Sequence, residues 1–103
     1  MEEKHPGFIP LLAFAQWKSG NSSAAKETLE FNKPSRNAMV VKFLIAYSEN
    51  DHDSAMRAAQ QSIGAKIPAA WVGVNLELEK LKRLKNPSPA VKVLFKSLQA
   101  VNQ

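Results

Sequence analysis

The feature that most constrains this chain is a turn that occurs twice, 30 residues apart. Gln16-Trp17-Lys18-Ser19-Gly20-Asn21-Ser22-Ser23-Ala24-Ala25 lies over Ala46-Tyr47-Ser48-Glu49-Asn50-Asp51-His52-Asp53-Ser54-Ala55. In each copy an aromatic residue closes a helical pattern, and Gly20 or Asn50 follows, both tolerant of the left-handed backbone that stops a helix. Ser23 and Asp53 are then expected as N-caps, able to accept a bond from an unpaired backbone N–H of the next helix. Ala25 and Ala55, two residues further on, are small enough to let two helices approach closely. A looser third copy is Lys85-Asn86-Pro87-Ser88-Pro89-Ala90, with Ser88 as cap, Pro89 at the first helical position and Ala90 35 residues after Ala55. A chain built this way is a run of helix-turn-helix units.

Hydrophobic periodicity agrees, predicting helices over 8–19, 23–32, 36–49, 53–63, 68–85 and 88–102. The expected fold is therefore all-α, three stacked antiparallel hairpins forming one domain over 8–103 behind a short N-terminal tail, 1–7. The third helix carries Met39, Val40, Val41, Phe43, Leu44, Ile45 and Tyr47 almost all round its axis. Such a helix belongs in the middle of a stack, with neighbours on every side. The fifth is one-sided, with Trp71, Val74, Leu78 and Leu81 at three- and four-residue steps, and the last repeats the pattern with Val91, Leu94, Leu98 and Val101. Three hairpins are about the minimum for such a stack, because each buries its apolar face only against the next.

Ile9, Leu12, Ala13, Gly20 and Ala25 fall at the consensus spacing of a tetratricopeptide repeat, and periods of 30 and 35 bracket the ~34 of that family. The chain resembles a degenerate tetratricopeptide array along nearly its whole length. It departs from the pattern at Pro34, which shortens the second helix, at Lys42 and Phe43, which replace a large-small pair, and in the Pro-rich third turn. The resemblance implies a right-handed superhelix in which the first helix of each pair lines a concave surface. On the family's spacing Phe14, Trp17, Val40, Leu44 and Tyr47 would then form a groove for a partner, with Phe14 beside Leu44 and Trp17 beside Tyr47. Aromatic anchors of this kind suit an amphipathic helix. Equally, aromatics at repeat-equivalent positions pack between hairpins as core, which is also the reading for Trp71.

In layout, and in the run from Ser54-Ala55-Met56 through Pro68 and Trp71 to a final amphipathic helix, the chain is similar to the tetratricopeptide-type chaperones of type III secretion needle subunits. That likeness implies a partner helix held in the groove, through Val40, Leu44 and Tyr47 here, and a second small helical chaperone completing the complex. A scaffold or adaptor module of a larger assembly is the other reading of the same fold.

The rest of the composition narrows the function classes. There is no cysteine, so no disulfide, thiolate metal site or cysteine nucleophile, and the context expected is reducing and cytoplasmic. The apolar stretch from Phe8 is a poor secretion signal, being preceded by Glu2 and Glu3 and broken by Pro10. No segment approaches the ~20 apolar residues of a membrane span, since Lys42 divides the most apolar one. Two histidines, no Gly-rich phosphate loop and no paired ligand spacing leave no catalytic residue, metal site or cofactor to predict. Glu49-Asn50-Asp51-His52-Asp53 is read as capping, because adjacent positions around a turn do not aim at one point.

The net charge of +5 is carried wholly by residues 66–103, where seven Lys/Arg face only Glu77 and Glu79. Lys80, Lys82, Arg83 and Lys85 make a candidate basic patch for an acidic peptide. RNA fits that patch less well, since no aromatic residue lies beside Lys82 or Arg83 for a base to stack on.

Overall fold

The computed structural model describes residues 8–31 and 36–99; the N-terminal tail and the end of the sixth predicted helix lie outside the described residues. The fold is all-α, with six helices: α1 (Phe8–Lys18), α2 (Ser22–Phe31), α3 (Arg36–Ser48), α4 (His52–Gln61), α5 (Val72–Lys82) and α6 (Pro89–Gln99). Among the described residues there is no strand.

The repeated turn forms the same hydrogen bonds in both copies. Gly20 sits at φ +94° and its N–H donates to Trp17 O (2.9 Å), while Asn21 N–H reaches back to Gln16 O (2.9 Å). Thirty residues on, Asn50 sits at φ +61°, its N–H donates to Tyr47 O (3.1 Å), and Asp51 N–H donates to Ala46 O (3.0 Å). This is the Schellman pattern, which satisfies the last carbonyls of the outgoing helix.

The caps fall two residues earlier than Ser23 and Asp53. Asn21 Oδ1 accepts from Ala24 N–H, and Asp51 Oδ1 from Ser54 N–H, each at 3.2 Å. The residue that ends one helix therefore begins the next, and Ser23 and Asp53 lie inside the first turn of α2 and α4. Ser88 does cap α6, its Oγ accepting from Val91 N–H at 3.4 Å.

The tight turns make α1–α2 and α3–α4 closely packed hairpins, with Ala25 and Ala55 wholly buried where the helices meet. Gln16 and Thr28 add a side-chain bond across the first hairpin (2.6 Å). α3 packs on α1, α2 and α4, and from Ala38 to Ala46 only Lys42 is not buried.

The third unit is built differently. α5 starts four residues later than predicted, because Trp71 N–H turns back to Pro68 O (3.0 Å) and the Trp71 side chain is drawn into the core at 6% exposure, and it stops at Lys82, where Arg83 N–H and Leu84 N–H tighten onto Lys80 O (3.2 Å) and Leu81 O (3.3 Å). α6 lies against α4 about as closely as the members of a hairpin lie against each other, whereas α5 and α6 are not a close pair. Gly64 N–H, in the α4–α5 connection, donates to Ser97 O (3.2 Å) and ties that connection to α6.

The cap assignment yields a test. Asn21→Ala is expected to destabilise the protein by about 1 kcal/mol in urea unfolding, whereas Ser23→Ala changes it by less than about 0.5 kcal/mol. The reverse ranking would put the cap back at Ser23.

Candidate helix-binding site

The residues expected to line a groove divide into two groups. Val40 (0% exposed) and Leu44 (3%) are core, not groove: they belong to one apolar cluster with Trp71, Val74, Leu78 and Leu81 of the α5 unit. Their face of α3 is covered, so they present nothing to a partner in this conformation. Phe14, Trp17 and Tyr47 are half-buried at the edge of that cluster.

Ring–ring contacts form within each helix. Phe14 meets Trp17 edge-on (5.6 Å, 65°), and Phe43 stacks on Tyr47 (5.8 Å, 11°). A polar link also joins α1 to α3: Trp17 Nε1 donates to Ser48 Oγ (3.1 Å), and Ser48 Oγ–H donates to Ile45 O (2.7 Å).

α1 then meets α5 directly. A Cβ at Gly73 would lie 2.5 Å from Phe14 Cε2, so glycine lets the α5 backbone rest on that ring where any larger residue would have to push the ring aside. One turn further along both helices, Lys18 Nζ bonds Glu77 Oε2 at 2.8 Å. Since 14 to 18 runs alongside 73 to 77, the two helices are parallel. The same lysine stands 5.2 Å over the Trp17 ring, a cation–π position.

Partial burial would raise the Glu77 carboxyl, but the hydrogen bond and charge of Lys18, joined by Lys80 at 3.6 Å, hold it below the usual value. The first helices of the three units thus converge: α1 on α3 through Trp17, and α1 on α5 through Phe14 and Lys18.

The basic patch is partly neutralised where it stands. Lys80 faces Glu77 (3.6 Å), and Lys82 (3.9 Å) and Arg83 (4.0 Å) face Glu79. Lys85, among the described residues, forms no ion pair. In the Glu49–Asp53 run, Glu49 pairs with Lys26 (2.6 Å) and the Asp51 carboxyl is lowered by its bonds from Ser54, in keeping with capping. Among the described residues no three His, Asp or Glu side chains gather to hold a metal, and no helix is long and apolar enough to cross a membrane.

One concavity escaped the sequence reading. Because α5 and α6 do not close on each other, a cleft of about 300 Å³ opens between them, with Ile67, Leu78, Phe95 and Leu98 as its apolar walls and Lys82 and Glu79 at its edge. The available signal was Phe95. It packs on the apolar core and also lines the cleft. No family model, curated protein or solved structure matches the chain.

The Lys18–Glu77 pair makes stability depend on acid in a known direction. Its contribution is complete above pH 4.5 and is lost as pH falls through the lowered value of Glu77. Thermal melts at pH 3 to 7 are expected to show wild type losing up to about 4 °C more than Glu77→Gln, the scale of a surface pair worth about 0.2–1 kcal/mol. Parallel curves would mean the pair contributes nothing.

Proposed function

We propose that this chain is a non-catalytic, cytoplasmic protein-binding module that holds an amphipathic helix of a partner against the shared face of α1, α3 and α5. One observation carries the reading: Phe14, Trp17 and Tyr47 stand half-buried along that face, and a helix of the chain, α5, already rests on it through Phe14. Large aromatic rings with few rotamers are effective anchors for a helix in an apolar trough. The tetratricopeptide-like layout supports the same role. Its likeness to needle-subunit chaperones makes the finer reading a type III secretion chaperone that shields an aggregation-prone helix, with a second small helical chaperone alongside.

A scaffold binding an acidic peptide through Lys80, Lys82, Arg83 and Lys85 has less support, given the carboxylates already beside three of the four. Salt separates the two modes. Binding through apolar anchors persists at 0.5 M salt, whereas a rim of exposed charges is screened beyond a Debye length of about 5 Å or less.

The test is to purify the chain, recover partners from its native cell, and titrate the recovered helix as a purified peptide. Phe14→Ala and Tyr47→Ala are each expected to weaken that binding at least about tenfold, with helical content retained by circular dichroism. Unchanged affinity in both variants, or a partner that binds only at low salt, would remove the reading.

A further inference from the structure

The α1–α5 contact differs from the close helix pairs of the fold, α1–α2, α3–α4 and α4–α6, which meet over buried apolar side chains. Here the two helices meet through one aromatic ring on a glycine and one ion pair, with Lys18 about half exposed. α5 is also flanked on both sides by non-helical chain, 62–71 and 83–88. On α5, Val72 and Leu76 bracket Gly73 and are 62% and 57% exposed, so an apolar strip runs out from the seam to the surface. The opposite side of α5, with Trp71, Val74, Leu78 and Leu81, remains anchored in the core.

We propose that α1 and α5 are the two jaws of the groove, shut in this structure, and that the helix they admit carries a small residue and, four positions later, a carboxylate. The inference rests on the helix-holding reading above. A helix seated between the jaws meets Phe14 and Lys18 on one side, and these accept from it what Gly73 and Glu77 supply in the closed state. On its other side it meets Gly73 and Glu77, which leave room for a bulky residue and favour a cation. The specificity is steric as well as electrostatic: a branched side chain opposite Phe14 meets the obstruction that a Cβ at position 73 would meet. The anchored side of α5 makes the motion a swing away from α1, with the rest of the stack intact.

The probe is a labelled peptide of residues 68–85 of this chain, which offers Gly73 and Glu77 in trans. In the full-length Glu77→Lys variant Lys18 loses its partner and the seam carries like charges. The peptide is expected to bind this variant about tenfold or more tighter than wild type, because the competent open fraction rises. Adding Lys18→Glu to the same variant is expected to abolish the gain. Amide exchange should quicken in α1 and α5 of Glu77→Lys while α3 keeps its protection. Equal peptide binding by all three proteins, or exchange that quickens uniformly through α3, would overturn the proposal.

A second variant guards against a folding defect. The chain has no cysteine, so Lys18→Cys with Glu77→Cys can be joined by a short bis-thiol linker across the seam. The linked protein should not bind the peptide, whereas the unlinked one, which keeps Phe14 but has lost the Lys18 charge, should still bind it, more weakly than Glu77→Lys does. Binding by the linked protein refutes the jaws and leaves helix holding to another surface. Local opening without peptide binding refutes helix holding instead.

Discussion

The structure depends on the burial of α3 on all sides. Val40, Val41, Phe43 and Ile45 are within 2% of complete burial, and burying such side chains contributes about 1.5–3 kcal/mol each. A helix of this composition cannot sit at an edge. It requires neighbours all round: α1, α2 and α4 pack directly on it, and the third unit joins the same apolar cluster through Trp71, Val74, Leu78 and Leu81 and through Ala90, Val91 and Leu94.

That demand explains the division of labour between α5 and α6. α6 takes the place against α4, where Ala90, Val91 and Leu94 are buried. α5 brings Trp71, Val74, Leu78 and Leu81 into the same cluster as Val40 and Leu44 and reaches α1. The first helices of the three units close on one another, and the cleft between α5 and α6 is the gap this arrangement leaves.

The parts legible in the sequence were those set by local chemistry. Gly20 and Asn50 announce left-handed turns, and Ser88-Pro89 announces a helix start, because each is decided within a few residues of backbone. The caps at Asn21 and Asp51 were displaced by two positions for a similar local reason. In a Schellman ending the residue after the left-handed one is already fixed by its bond back to the helix, and its side chain is free to cap the next. Periodicity also identified α3 as the most enclosed helix. It could not tell whether Val40 and Leu44 faced a partner or another part of the chain, since both are apolar surroundings. Nor could it place α5 on α1: that contact depends on Gly73 meeting Phe14 across 59 positions, and a lone glycine in a helical pattern reads as a weak point. The charge of Glu77 likewise looked like half of a solvated pair with Lys80 until Lys18 was seen beside it.

The balance of energies at the α1–α5 seam decides how such a site can work. A pair at the surface such as Lys18–Glu77, with its lysine about half exposed, is worth about 1 kcal/mol, so the seam itself resists little. The larger cost of opening is the exposure of the Phe14 ring that Gly73 covers, at up to about 1.5–3 kcal/mol if fully exposed. Together these make the open form a minor state, of the kind a binding partner selects when it has a few kcal/mol of differential affinity. An incoming helix has to rebury that ring to recover the loss. Glycine at 73 is central to both states. It costs α5 roughly 1 kcal/mol of helix propensity against alanine, and it lets α5 approach Phe14 closely enough for the empty groove to be shut without a larger, more permanent contact.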